Sequence, residues 1–400
     1  MLSFRPNTDI LSPARVFGFI WALTLGLTDL KLSGLQNEWS LEIWIQVLIG
    51  PIAFLVGVAV VYVINLNTEV YSLVYLRNNK QLYEINKSKL YKVVIILFFL
   101  FLLGYIIIYL KTHEIPLFSN NPGKARANFT MFGIGLFLHN VVPIVFLSCV
   151  YFITVKKNKI RKSILFMLSL LSIALYAITF QRYQIFMAIL MATTLLYYTT
   201  FRVKFKTVFI SSLVVIVFFY LVSSFRAGEI IVFVLYKISK MKFSKDYAIF
   251  TEPYMYIVMN LENYARSIAK VEHFTYGYYT FDFMTAITGL KHWIEEYFVL
   301  VESPFLTSSY NTYSAFWTYY RDFGIAGIFV IPFTGGMAIS SLYYSFKVRP
   351  SLMKLAIYGM FLFAIIFSFF NSAFGFLWFV YNLFILSVVF KYITHYEVNI

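Results

Sequence analysis

The chain reads as an all-α polytopic membrane protein, and three observations carry that reading. Its 400 residues are 60% hydrophobic and only 13% charged, more apolar surface than a water-soluble globule can bury. Its apolar runs recur at lengths suited to a hydrocarbon core of about 30 Å, which takes ~20 helical residues to cross. Its positive charge, net +15, sits in short clusters between those runs, as topology signals do, instead of forming the broad basic face of a nucleic-acid binder. One integral membrane domain over 1–400 is expected, surrounded by membrane lipid and with no nucleic-acid partner.

In chain order the runs are Ala14–Leu32, Leu41–Asn65, Val93–Leu110, Met131–Val155, Ser163–Phe180, Gln184–Thr200, Thr207–Phe225, Phe323–Phe346, Leu355–Phe370 and Phe374–Tyr392, which makes about ten spans. The uninterrupted apolar part of the first, Val16 to Thr28, follows Arg5 and Arg15, yet no small-residue cleavage pattern comes after it, so it reads as a retained helix. When the spans alternate, four basic groups fall on one side: Arg77 to Lys92, KKNKIRK at 156–162, RVKFK at 202–206, and Lys347 with Arg349 and Lys354. The positive-inside rule makes that side cytoplasmic and puts both termini there. The external face then receives 111–130, 181–183, 226–322 and 371–373.

The 226–322 loop stands apart, because it holds more than half of the acidic residues in an otherwise apolar chain. Its first part, EIIVFVLYKISKMKFSK, is apolar with lysines at 237, 240, 242 and 245, the composition of a helix lying in the membrane interface. Thr251 is expected to cap a helix with Pro253 in its first turn and Tyr254, Ile257, Val258, Leu261, Ala265 and Ile268 on its apolar face. Asn260, Asn263, Arg266 and Lys270 form the polar face. From His273 to Ser309, Tyr, Phe, Thr and Gly predict short amphipathic helices and loops whose aromatic faces suit sugar rings as well as packing. The single cysteine, Cys149, lies in an apolar run, so no disulfide braces the loop.

Catalytic signatures are mostly absent. There is no Gly-rich phosphate loop ending in Lys and Ser/Thr, no HExxH, no Asp-x-Asp pair and no Cys/His set at metal-ligand spacing, so neither a metal nor a cofactor is expected. His139, inside a span, reads as a hydrogen-bonded packing residue. The external arginines offer more: Arg126, Arg182, Arg226 and Arg321 all map to one face. Guanidinium forks hold phosphate oxygens bidentately at any working pH, so the set suits a lipid-linked pyrophosphate. Each arginine reads equally well as a headgroup contact or the partner of an acid such as Asp322. Asp322 itself reads either as a general base toward a sugar hydroxyl or as the N-cap of the eighth span.

The order of IPLF and ARANF in an early external loop, FQRYQIFMAIL, SSFRAGE, EPYMYIVMNLEN, TYGYYTFD and NTYSAFWTYYRDFGIAGIFVIPFTGG resembles the bacterial O-antigen polymerases, the oligosaccharide repeat-unit polymerases, over most of 110–345. An Arg followed after ten residues by Gly, a pattern of some members, falls at Arg266 and Gly277. The resemblance implies a GT-C-like, metal-independent glycosyltransferase of the bacterial inner membrane. It would join undecaprenyl-pyrophosphate-linked oligosaccharides into O-antigen or capsular polysaccharide at the periplasmic face, with a chain-length regulator as a candidate partner. It implies that Arg126, Arg182 and Arg226 neutralise the donor pyrophosphate and that Asp322, or failing it Glu252, handles the acceptor hydroxyl. Tyr254, Asn260, Arg266, Asn311 and Thr312 would line the substrate groove, together with Arg321, where the family pattern more often has an uncharged residue. Gly324, Gly327, Gly335 and Gly336 would allow close helix packing behind the site. A ligase shares the donor and the topology and differs in its acceptor. A flippase would call for charged or broken helices at the bilayer midplane and a repeated architecture.

Overall fold

The computed structural model describes residues 9–79, 84–200, 229–271, 273–290, 293, 310 and 312–394. The expected span at 207–225, together with Arg226 and Asn311, lies outside the described residues. Within them the regular elements are helices. We number these α1 (Pro13–Asp29), α2 (Leu41–Ile64), α3 (Leu73–Asn78), α4 (Lys87–Thr112), α5 (Pro122–Asn128), α6 (Val141–Thr154), α7 (Lys159–Ala177) and α8 (Tyr183–Thr199). After the undescribed stretch come α9 (Glu229–Ile238), α10 (Thr251–Lys270), α11 (Asp282–Thr288), α12 (Ala315–Val348), α13 (Leu352–Ile366) and α14 (Leu377–Ile393).

Five stretches among the described residues are long and apolar enough to cross a membrane: Leu41–Ile64, Lys87–Phe118, Ile134–Thr154, Lys159–Ala177 and Ala315–Val348. With the shorter apolar helices α8, α13 and α14, they make the chain a helical membrane protein. Local chemistry sets several helix starts. Ser40, Ser72, Asn86 and Asn158 each accept a backbone N–H from the first turn of α2, α3, α4 and α7, satisfying donors that a helix start leaves free.

The structure moves three expected boundaries. The run from Met131 begins as a 3-10 turn over Ile134–Asn140 and becomes α-helical only at Val141, where Pro143 fits the first turn because its missing N–H is not needed there. Thr251 does not cap α10: a 3-10 turn over Lys245–Phe250 runs straight into the helix, and the Thr251 hydroxyl has no partner among the described residues. Helix α12 starts at Ala315 and not at Phe323, so Asp322 lies inside it and is not its N-cap.

The chain forms two compact units. Unit 1 comprises 1–68, 205–344 and 364–377. In it α1 packs on α2, and α10 packs on both. The polar segment therefore contributes a helix of 20 residues, over the stretch where one is expected, and seats it against α1 and α2. Two glycines set the crossing of α2 and α12: a Cβ on Gly57 would lie 2.1 Å from the Phe333 carbonyl oxygen, and one on Gly336 would lie 2.2 Å from that of Phe54. The neighbouring Gly335 has nothing within 4 Å, so of the paired glycines only Gly336 does the close packing. Gly324, at φ 59 and ψ −144, breaks α12 into two segments. That left-handed φ is one that side chains rarely adopt, and a Cβ there would strike the Phe274 ring at 2.7 Å.

Unit 2 comprises 69–204, 345–363 and 378–400. Its α4 packs against the Ile134–Asn140 turn, α6 and α7, and α6 packs against α8. The basic cluster at 202–206 lies outside the described residues; the clusters among the described residues gather at the Lys87 end of α4. There the Arg77 guanidinium lies 4.9 Å from the Tyr197 ring, Lys89 Nζ 4.7 Å from Tyr392 and Arg161 5.0 Å from Tyr91. The Lys347 carbonyl accepts the Tyr71 N–H, and that of Ile393 accepts the Asn86 N–H. At the Thr112 end, the Leu117 N–H donates to the Ile178 carbonyl. The 26 residues of α4 separate these ends by about 39 Å, the thickness of a bilayer with its headgroups.

The glycine crossing makes a sharp prediction. Gly336→Ala should destabilise detergent-solubilised protein by about 1–3 kcal/mol, the usual cost of overpacking, whereas Gly335→Ala next to it should leave the melting temperature unchanged. Fluorescence-detected size-exclusion melts measure both.

Candidate functional site

In unit 1 the groups expected to handle substrate collect around α10 and the first segment of α12. Asn260 and Asn263, expected on a solvated polar face, are buried. Their amides stitch the stretch before α12 onto α10: Asn263 Nδ2 donates to the carbonyls of Tyr310 at 2.8 Å and Thr312 at 2.9 Å, and Asn260 Oδ1 accepts the Thr312 hydroxyl. Tyr254 faces the other way, toward the turn after α1. Its hydroxyl lies 2.7 Å from Gln36 Oε1 and accepts the Leu32 N–H at 3.0 Å. It is a packing residue with a fully used hydroxyl, since Leu27 O is also within reach at 3.1 Å. Glu252, half-buried, is in the first turn of α10.

Asp322 is 0% exposed, and its carboxylate accepts three hydrogen bonds. Thr275 Oγ1 and the Tyr279 N–H, at 3.2 Å, donate to Oδ1, and the Thr280 N–H donates to Oδ2 at 2.6 Å. The backbone of 275 and 276 also bonds to the carbonyls of Arg321 and Asp322. Asp322 thereby fastens the 273–280 segment beside the Gly324 break. Arg321, 3% exposed, donates from Nη1 to the His273 carbonyl at 2.6 Å, while Nη2 has no partner among the described residues. An aromatic surface adjoins this spot: Tyr313 stacks on Trp317 at 3.8 Å and Tyr279 meets Trp317 edge-on at 5.2 Å.

Glu262 is a further buried carboxylate, one that the sequence alone does not single out. It accepts the Asn37 N–H at 2.9 Å and the Trp39 indole N–H at 3.0 Å, and Lys31 Nζ stands 3.7 Å away. Burial pushes its carboxyl above the ordinary carboxylate range, against the Asn37 N–H, Lys31, Trp39 and Arg266, which favour the charged form. Arg266, half-buried one turn on, thus has a structural neighbour. The signal that points to Glu262 is its register, four residues after Val258 on the buried stripe.

In unit 2 the turn after α7 carries Arg182 at the N-terminus of α8, where the helix dipole adds to the positive potential. Arg126, exposed at the end of the short α5, acts electrostatically on the Tyr176 hydroxyl, which donates to Gln181 Oε1 at 3.0 Å. Arg126 and Arg182 therefore share the Thr112 end of unit 2, away from the basic clusters. His139 makes ring contacts with Tyr176 and Trp378, each at 6.4 Å, while its Nδ1 has no hydrogen bond, so it is a packing residue without the expected bond at that atom. Among the described residues, no three His, Cys, Asp or Glu side chains group as metal ligands.

The Glu262 environment predicts a pH dependence. The folded protein binds this proton more tightly than the unfolded chain, so ionisation costs stability. The cost is absent below the ordinary carboxylate pKa of about 4.3 and grows as pH rises through the raised value. Wild-type melting temperature, measured relative to Glu262→Gln, should fall as pH rises through that window; a constant difference between the two proteins would contradict the assignment.

Compared with family models, curated proteins and solved structures, the chain matches none.

Proposed function

We propose that the chain polymerises undecaprenyl-pyrophosphate-linked oligosaccharide repeat units at the external face of the bacterial inner membrane. In this reading it crosses the membrane about ten times, with both termini cytoplasmic, in a GT-C-like architecture. The observation that carries the reading is that Arg126 and Arg182 belong to the same end of unit 2, the end of α4 opposite the one where Arg77, Lys89 and Arg161 lie against tyrosine rings. Cations at the far end fit the positive-inside rule, and an arginine at a helix N-terminus, with a second arginine at the same end of the unit, fits a pyrophosphate.

The chemistry follows from these groups. An acceptor-sugar hydroxyl oxygen attacks the anomeric carbon of the donor, and the bond from that carbon to the pyrophosphate oxygen breaks. The electron pair leaves with undecaprenyl pyrophosphate, whose growing charge Arg126, Arg182 and Arg226 stabilise. The hydroxyl proton goes to Glu252. Asp322, enclosed by three donors, holds the 273–280 segment in place and is relieved of the base role. In this reading Asn260, Arg266, Asn311, Thr312 and Arg321 have the role of binding the acceptor, and the Tyr313–Trp317 stack offers it an aromatic face. The leaving pyrophosphate supplies the driving force, so neither ATP nor a nucleotide sugar is needed.

Polysaccharide display tests this in cells lacking the chain, complemented at matched membrane abundance. The deletion should leave single repeat units and no ladder; Arg126→Ala and Arg182→Ala should each shorten or abolish the ladder that wild type restores. Loss of even the single unit would point to a ligase or flippase, and a normal ladder in the deletion strain would refute polymerisation.

A further inference from the structure

We infer that a buried amide cluster in unit 2 is the subsite for the first sugar of the lipid-linked donor, the ring bonded directly to the pyrophosphate; this rests on the function proposed above. Three helices build it. Gln184 comes from the first turn of α8, Asn140 stands at the start of α6, and Asn382 lies near the start of α14. The three are 1%, 0% and 0% exposed. Tyr381 donates its hydroxyl to Asn140 Oδ1 at 2.8 Å, and Asn382 Nδ2 reaches Gln184 Oε1 at a long 3.4 Å. That leaves Asn140 Nδ2, Asn382 Oδ1 and the neighbouring His139 Nδ1 without hydrogen bonds among the described residues.

Unpaired amides are costly in any protein interior and more so among membrane helices, where no bulk water substitutes. One free donor and one free acceptor are what a sugar ring satisfies, because each hydroxyl both donates and accepts. Aromatic faces adjoin the amides. Trp378 contacts His139 at 6.4 Å and Tyr183 at 5.1 Å, the kind of surface on which the C–H face of a pyranose stacks. The choice of the first sugar over a distal one follows from position along the chain. Gln184 lies two residues after Arg182, and Tyr176, which meets His139, is bonded to Gln181, so the cluster is within about one helical turn of the backbone of Arg182, the residue assigned to the pyrophosphate. The opposing explanation is that the amides are interhelical glue.

The two explanations separate in a binding experiment on the full chain in nanodiscs, followed by native mass spectrometry. The probes are undecaprenyl pyrophosphate and the lipid-linked repeat unit extracted from cells lacking the chain. The Gln184→Leu/Asn382→Leu pair replaces both amides by apolar groups, a change that is close to neutral for stability when only packing is at stake. His139→Phe keeps the ring and removes Nδ1. Both variants should bind bare undecaprenyl pyrophosphate as wild type does and bind the sugar-bearing lipid about tenfold more weakly, the worth of one or two buried hydrogen bonds. Their melting temperatures should be unchanged or higher. Equal affinity of variants and wild type for the sugar-bearing lipid, or parallel loss of both lipids with a lowered melting temperature, would overturn the subsite. Selective loss of the sugar-bearing lipid by a chain that fails to elongate would keep the subsite and refute the polymerase.

Discussion

The carboxylate of Asp322 ties the polar segment of the chain to the membrane helix that follows it, and the arrangement of unit 1 depends on that tie. A carboxylate buried at 0% exposure is tolerable only when hydrogen bonds replace its water. Two backbone N–H groups and the Thr275 hydroxyl do so. The same bonds dictate the path of 275–280, and Gly324 lets α12 break where that path needs room. Glu262 plays the matching part at the other end of the segment, anchoring α10 to the turn after α1 through Asn37, Trp39 and Lys31. With no disulfide to hold a segment of this size, buried polar contacts over long sequence separations take its place.

The same economy explains how the segment meets the membrane edge. After α9, the backbone of Lys240 and Lys242 pairs with that of Gly34 and Leu32, and Ser33 donates to the Ser239 carbonyl at 2.5 Å. The end of α9 is thus fixed to the turn that leaves α1. Lys237, Lys240, Lys242 and Lys245 remain exposed, as do Phe233, Val234 and Ile238, the mixture that suits a headgroup layer.

The apolar helices are readable because hydropathy sums over some twenty residues and tolerates a misjudged end; each expected run among the described residues overlaps a helix, and five fall in stretches long and apolar enough to cross a membrane. Single residues were harder. Thr251 looked like a cap, but capping depends on the φ and ψ of the preceding turn, which composition does not report. Helix α12 was placed too late because Arg321 and Asp322 look like a boundary, and only the contacts with 273–280 make two charges acceptable inside a helix. Glu262 pairs with groups more than 200 residues away, a distance over which periodicity carries no signal. Asn140, Gln184 and Asn382 lay in runs read only for hydropathy, so three scattered amides went unnoticed until the fold brought them together.

The reading of function stands on a donor that carries its own leaving group, and reconstitution tests this most directly. Purified chain in liposomes would receive lipid-linked repeat units alone, without nucleotide and with a chelator present, and the products would be resolved by size. The account predicts a ladder of lipid-linked oligomers with release of undecaprenyl pyrophosphate in proportion to the bonds formed. Unchanged repeat units under these conditions, or elongation that needs an added nucleotide sugar, would contradict it.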